Sequence, residues 1–417
     1  MQYNFMLAGT QSGCGKTSVC FALLQQLMGS GCDVRAFKAG PDFLDPMWHQ
    51  VATQKTSYNL DTRMMGEAMV QHTFAFHAAK WNIIEGVMGL FDGAKGVGQE
   101  GSSLDLARVL SIPVLLVVDA KGMSGSIVAL VAGFCAYAAQ SGVMIHGIIA
   151  NRVGSMRHVE LLSEMLNQHD LPPLVGWMKK NAPTLPERHL GLQRPEEVSI
   201  PDFSDHFYID QAQLISQGRA MRLMPERAPD QHVQKTIAIA RDAAFCFIYQ
   251  ANLDWLQQQG WQLSFFSPLA GEAVPASDML WLPGGYPELY AQTLSESATW
   301  ESVCEVIEAD QVVLAECGGM MVLGQSLRDQ AGQVWPMAGL LPFDVEMQDR
   351  LVSLGYRQQA KGVKGHEFHH SKRLMEVGIP QAFALEGRGD TGLRYRCLRA
   401  SYVHWYFPST DNLDWLL

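Results

Sequence analysis

Gly9-Thr10-Gln11-Ser12-Gly13-Cys14-Gly15-Lys16-Thr17 follows a short apolar segment, Tyr3 to Ala8, that reads as a buried strand. After it, Val19, Phe21, Leu23, Leu24, Leu27 and Met28 recur at helical spacing. A glycine-rich turn between strand and helix, closing on Gly-Lys-Thr, is a cradle for nucleotide phosphates. Gly13 and Gly15 let the backbone fold close and point N–H groups inward, and the helix N-terminus adds positive potential. Lys16 is placed for the β- and γ-phosphates and the Thr17 hydroxyl for Mg²⁺. Taken alone, the loop predicts only that a nucleoside triphosphate binds.

Bulk properties narrow the class. A chain of 417 residues exceeds one ordinary hydrophobic core, so two domains are expected. A formal charge of −11 argues against a nucleic-acid partner, which needs a basic face. The N-terminus has no basic, apolar and cleavable sequence of a signal peptide. The longest apolar run, Ile127 to Ala139, falls short of the roughly 18 residues of a membrane span. A cytoplasmic protein with no membrane partner is the expectation. Eight scattered cysteines without C-x-x-C or zinc spacing fit a reducing compartment.

Along the first half, Val34 to Phe37 reads as a strand entering Lys38-Ala39-Gly40-Pro41-Asp42-Phe43-Leu44-Asp45-Pro46. Asp42 and Asp45 suit metal coordination or orientation of a nucleophile, and equally suit turn capping. Residues 66 to 80 read as an amphipathic helix. Trp81 to Ile84 then forms a strand ending at Glu85, the natural second metal anchor, with Asp92 in the Gly-rich loop beyond. Ile112 to Val118 and Ile145 to Ile149 are further strands, and Ser126 to Ala139 is a helix. Asn151 is placed either to read a nucleobase edge or to serve a turn. Near-continuous Val/Ile/Leu strands alternating with helices predict a parallel sheet covered on both faces. Leu185-Pro186-Glu187-Arg188-His189-Leu190-Gly191-Leu192 is turn-rich, so the first domain is drawn as 1–195. Residues 196–235 read as a linker with one helical stretch, Gln211 to Met224.

A second α/β pattern fills 236–417. Its strands are Thr236 to Ala240, Trp261 to Phe266, Met279 to Leu282 and Val312 to Ala315. The last enters Glu316-Cys317-Gly318-Gly319-Met320, with a helix expected from Met320. A cysteine between strand and helix, flanked by small residues, is a nucleophile elbow. Gly318, with Gly285 from Pro283-Gly284-Gly285-Tyr286, would supply the oxyanion N–H groups. The helix N-terminus is expected to favour the Cys317 thiolate, and His404 in Ser401-Tyr402-Val403-His404-Trp405 is the candidate base. Gly365-His366-Glu367-Phe368-His369-His370 is rich in ligands, but strand alternation sets His366 against Glu367 and His369, so no compact metal cage is expected.

The segments GTQSGCGKT, KAGPDFLDPMWH, EGVMGLFDG, LPERHLGL, ARDAAFCFIY, LPGGYPE, AECGGM, GHEFHHS and ASYVHWYF occur in that order. Together they resemble the cobyrinic acid a,c-diamide synthase family along essentially the whole chain. The resemblance implies two doubly wound α/β domains, an N-terminal P-loop, dethiobiotin-synthetase-like sheet and a C-terminal class I glutamine amidotransferase-like domain. It implies amidation of the a and c carboxylates of a corrinoid with ATP, Mg²⁺ and glutamine. Ammonia would come from a Cys317 thioester, with His404 moving protons. Asp42, Asp45, Glu85 and Asp92 match family positions tied to metal, substrate or the amidation step, with Asp42 and Glu85 taken for Mg²⁺. A homodimer remains open. Two departures stand out: Phe43 replaces the family's more frequent Tyr, and Tyr406 stands where the wider amidotransferase class has its third, acidic member. The same machinery acting on hydrogenobyrinic acid or nickel-sirohydrochlorin is the neighbouring reading. A ParA-like switch without catalysis is the contrasting one, and it would have no use for Cys317 and His404.

Overall fold

The computed structural model describes residues 2–93, 99–188, 191–217, 235–374 and 378–417. The chain divides into two compact units, Met1–Glu226 and Arg227–Leu417. His189 and Leu190 of the turn-rich segment, and the second half of the helix expected to Met224, lie outside the described residues.

The first unit runs β1 (Tyr3–Gly9), α1 (Lys16–Gly29), β2 (Val34–Ala39), α2 (Leu44–Thr53), β3 (Tyr58–Leu60), α3 (Thr62–His77), β4 (Trp81–Gly89), α4 (Ser103–Leu110), β5 (Val114–Asp119), α5 (Ser126–Ala139), β6 (Ile145–Val153), α6 (Met156–Gln168) and β7 (Leu174–Lys179). A small hairpin of β8 (Glu187–Arg188) and β9 (Gly191–Leu192) precedes β10 (Phe207–Ile209) and α7 (Gln211–Gln217). Among the described residues one sheet has the order β10-β7-β6-β5-β1-β4-β2-β3, all parallel except β10. The strands are apolar at nearly every position because helices cover both faces. The linker expected from 196 therefore starts too early. Phe207 and Ile209 are buried and Ile209 packs into the core of this unit, so the segment is an edge strand bonded to β7. α3 breaks at Gly66 (φ 75°, ψ 163°), the expected start; a turn capped by Asp61, which accepts from the Arg63 and Met64 N–H groups, precedes the break, and the helix ends at His77 rather than 80.

The second unit contains β11 (Lys235–Ala240), α8 (Gln250–Gln258), β12 (Trp261–Phe266), β13 (Met279–Leu282), α9 (Ala291–Ser295), α10 (Thr299–Glu308), β14 (Val312–Glu316) and α11 (Gly318–Met321). Beyond these lie β15 (Ser326–Arg328), β16 (Val334–Pro336), β17 (Asp344–Met347), β18 (Ser353–Gln358), β19 (Lys364–His369), β20 (Ser371–Leu374), β21 (Leu393–Tyr395), β22 (Leu398–Ser401) and β23 (His404–Tyr406). The main sheet has the order β12-β11-β13-β14-β22-β21, parallel except for the final pair. Alternation along its strands sorts the core into two layers. Ala238, Leu280, Leu282, Val313 and Ala315 pack on one face, and Ile237, Ile239, Met279, Trp281 and Leu314 on the other. The helix expected from Met320 is a single turn, Gly318–Met321. Smaller sheets follow: β16-β15-β17-β20, and β18-β19-β23, which carries His404.

No described helix is long and apolar enough to cross a membrane.

Candidate functional sites

In the first unit, the phosphate loop folds back on itself. A Cβ on Gly9 would sit 2.3 Å from Cys14 Sγ and 2.9 Å from Lys16 Cγ, so only glycine admits the closed loop. Gly15 turns into α1 at φ 88°, a left-handed conformation open to glycine. Asn151 Nδ2 donates to the Cys14 carbonyl at 2.8 Å, while its Oδ1 accepts from the Arg152 N–H. Asn151 is therefore a buried pin against the loop, the turn-like of its two expected roles. Arg152 adds a second tie, donating to the Gly13 carbonyl and pairing with Asp119.

Beside the loop, β-sheet register puts Lys38 of β2 next to Glu85 of β4. The Lys38 ammonium pairs with Asp45, lies 3.3 Å from Glu85 Oε1 and donates to the Gly86 carbonyl. Thr17 Oγ1 donates to Glu85 Oε1 at 2.7 Å. His49 Nε2 meets Glu85 Oε2 at 2.7 Å, and its Nδ1 meets Ser57 Oγ at 3.0 Å. Burial alone would push Glu85 up, but Lys38, His49 and Thr17 hold it well below the usual carboxylate range. Burial lowers Lys38, and Asp45, Glu85 and Asp42 overcome it and hold the ammonium charged. Asp45 is pushed up by burial and by Asp42 and Glu85 against the pull of Lys38. Burial also lowers Lys16.

Asp42 takes up the turn-capping role, one of its two expected alternatives. Its Oδ1 accepts from the Leu44 and Asp45 N–H groups, the turn-capping alternative, and Asn59 pins its carbonyl and that of Gly40. Asp45, rather than Asp42, is the carboxylate paired with Lys38. Asp92 is exposed on a tight turn, accepting from the Gly89 N–H, where Leu90 N–H donates to the Gly9 carbonyl at the root of the phosphate loop. Lys38 and His49 were not singled out from sequence, although both stand in KAGPDFLDPMWH; a lysine leaving a strand into a carboxylate loop was the available signal.

The donors present fit Mg²⁺. Thr17 and an ionised, buried Glu85 offer adjacent hard oxygen atoms beside the loop, as that cation requires. Among the described residues one His/Cys/Asp/Glu group has metal-like spacing, Cys20, His49 and Glu85.

In the second unit, Cys317 sits at φ 44°, ψ −106°, a strained backbone at the end of β14. Its N–H donates to the Ser401 carbonyl at 2.7 Å, which ties the elbow to β22. Cys317 and His404 converge on Gly284: a Cβ there would lie 2.2 Å from His404 Cε1 and 3.3 Å from Cys317 Cβ. A Cβ on Gly318 would lie 3.0 Å from the Gly285 nitrogen, so the two expected oxyanion residues adjoin. Glu316 joins the strands, accepting from the Trp405 N–H at 2.8 Å and from Trp281 Nε1 at 3.0 Å. Burial raises its carboxyl to about 8.

The thiolate expectation fails. Burial, then Glu288, opposed by a Gly318 backbone bond, and further Glu316 and Glu367, push the Cys317 thiol well above its ordinary value. A one-turn helix adds too little dipole to reverse this. Burial, with His366 and His369, holds His404 far below the usual histidine range. The resting pair is a neutral thiol beside a neutral imidazole. On β19, His366 faces His404, whereas Glu367 pairs with Arg357 and His369 stacks on Tyr402 at 3.7 Å, as alternation requires.

Residues 5–191 match the CobQ/CobB/MinD/ParA nucleotide binding domain family, and residues 236–412 match the CobB/CobQ-like glutamine amidotransferase domain family. The chain is 39% identical to cobyrinate a,c-diamide synthase of Herminiimonas arsenicoxydans, across 97% of this chain and 94% of that protein. It is 38% identical to hydrogenobyrinate a,c-diamide synthase of Brucella suis biovar 1, across 96% and 97% respectively. Cobyrinate a,c-diamide synthase of Synechocystis is 36% identical across 97% and 90%.

Proposed function

This chain belongs to the cobyrinate/hydrogenobyrinate a,c-diamide synthase family, glutamine-dependent amide-forming ligases of cobalamin biosynthesis, and on that premise we propose how its residues divide the reaction. The substrate is a corrin-type ring, and the a and c carboxylates are amidated in turn. In the first unit a substrate carboxylate oxygen attacks the γ-phosphorus of ATP. The bond to the β-phosphate oxygen breaks and ADP leaves with the electron pair. Positioning and charge neutralisation carry such a step. Lys16 and the loop N–H groups hold the phosphates, and the buried Lys38 ammonium offsets charge on the transferring group. Thr17 and Glu85, with the remaining Asp42 oxygen in reserve, would hold Mg²⁺, which would supply further neutralisation of phosphate charge. Asp45 and Asp92 serve the substrate side, Asp45 through its pairing with Lys38.

In the second unit Cys317 Sγ attacks the glutamine side-chain carbonyl while His404 takes the thiol proton. The oxyanion is held by the Gly285 and Gly318 N–H groups. Ammonia departs with the proton returned by His404, and water releases glutamate from the thioester. Ammonia then attacks the acyl phosphate, and phosphate leaves with the electron pair. The convergence of Cys317 and His404 on Gly284 is the observation that carries this reading, because a nucleotide switch has no use for it.

The test is paired. Cys317→Ala should abolish amidation from glutamine and retain it from high ammonia, and Lys16→Ala should abolish both, with product masses read by mass spectrometry. Loss of both routes in Cys317→Ala would overturn the two-site assignment. Turnover restricted to nickel-sirohydrochlorin, with cobyrinate and hydrogenobyrinate inert, would overturn the substrate class.

A further inference from the structure

Tyr406 stands two residues after His404, where the wider amidotransferase class that the chain resembles carries a carboxylate. Residues i and i+2 of a strand share a face, so Tyr406 projects beside His404 from β23. Its ring meets Tyr249 edge-on, with centroids 5.6 Å apart. Tyr249 Oη lies 2.9 Å from His366 Nδ1 in a buried hydrogen bond. His366 is the register partner of His404 across β19 and β23, and the two rings stack at 5.1 Å and 20°. Tyr406, Tyr249, His366 and His404 are thus joined in sequence by two ring contacts and one hydrogen bond.

We propose that His366, oriented by Tyr249, is a positioning residue of the amidotransferase site that holds the His404 ring by offset stacking. This rests on the Cys317–His404 reading above. A carboxylate would fix the imidazole by a hydrogen bond and stabilise the imidazolium by charge. A neutral ring holds it by offset stacking and offers its π-cloud to the cation formed when His404 takes the Cys317 proton. The rest of the surroundings supply the polarity. The titratable and charged groups that bear on this pair are Cys317 on the elbow with Glu288 acting on it, Tyr249 next to α8, and, through space from the other face of β19 and from β18, His369, Glu367 and Arg357. Glu316 is bonded to the Trp405 N–H. Burial first, and then Arg357, lower His366 to about 3, so the stacked ring stays uncharged at working pH. A charged neighbour would oppose formation of the imidazolium, which makes the neutral state part of the device.

The full-length enzyme is assayed with glutamine and, separately, with ammonium chloride. His366→Ala should lower glutamine-dependent kcat by about 10- to 100-fold, the range in which orienting partners of catalytic groups act. The KM for glutamine should hold and ammonia-dependent kcat should stay within about twofold. The acid limb of the glutamine-dependent pH profile should move, because the His404 surroundings change. His366→Phe keeps a stacked ring and should recover most of the lost rate, and Tyr249→Phe should lose less than His366→Ala. Unchanged glutamine-dependent kcat and pH profile in His366→Ala would overturn the proposal. So would equal loss of both nitrogen routes in all three variants, which would mark the ring as structural. Failure of the underlying reading looks different: wild-type and Cys317→Ala would then behave alike with glutamine.

Discussion

Glu316 shows how one side chain can set a pH dependence for the whole unit. Burial raises it to about 8, against backbone and indole bonds from Trp405 and Trp281 that favour the ion. Between the ordinary value of 4.5 and about 8 the folded chain holds a proton that the unfolded chain has released. The stabilisation is complete below that window and is lost as pH rises through it, amounting to roughly a few kcal/mol in order of magnitude. Glu316→Gln should flatten the slope. Urea midpoints at pH 5 and pH 8 should separate for the wild type by more than for the variant, and equal slopes would refute the assignment. The residue scale is also where sequence reading reached its limit. Cys317 and His404 were legible because an elbow and a strand end mark them locally. The protonation of Cys317 was not legible, since desolvation and the carboxylates of Glu288 and Glu367 come from distant segments.

At the scale of elements, strand ends carry the candidate residues. Glu85 lies one residue before the end of the continuous buried run of β4, Lys38 lies near the end of β2, and Cys317 follows β14; parallel strands bring such ends to one edge of a sheet. The elbow needs its glycine for a neighbour rather than for φ. A Cβ on Gly318 would lie 2.9 Å from Pro287 Cδ and 3.0 Å from the Gly285 nitrogen. Gly318→Ala should therefore push the two oxyanion donors apart. Glutamine-dependent kcat should fall by about 10²- to 10³-fold, as for loss of one oxyanion donor, while ammonia-dependent turnover persists. A drop confined to KM would argue against the oxyanion role. The strands of both main sheets were readable as apolar runs, because burial on both faces leaves that signature in a continuous stretch. Phe207–Ile209 was not readable: three residues flanked by polar sequence become a strand only through the exposed edge of β7.

Across the molecule, two units carry separate cores. Met1–Glu226 closes its own sheet and holds the phosphate loop with Lys38, Asp45, His49 and Glu85. Arg227–Leu417 holds Cys317 and His404 between two apolar layers of its own. Units with independent cores fold independently. The fragment Met1–Glu226 should therefore fold, bind ATP and amidate from ammonia while failing with glutamine; a fragment without cooperative unfolding by circular dichroism would contradict this. The sequence by itself determined the two α/β units, the phosphate loop and the nucleophile elbow, because each is encoded in a contiguous run whose periodicity and small residues leave little choice. Only the tertiary structure decided that Asp45 rather than Asp42 faces Lys38, that Asn151 pins the loop, that His366 stacks on His404 and that the thiol rests protonated. Those outcomes depend on register and desolvation, which are set by residues far apart in the chain.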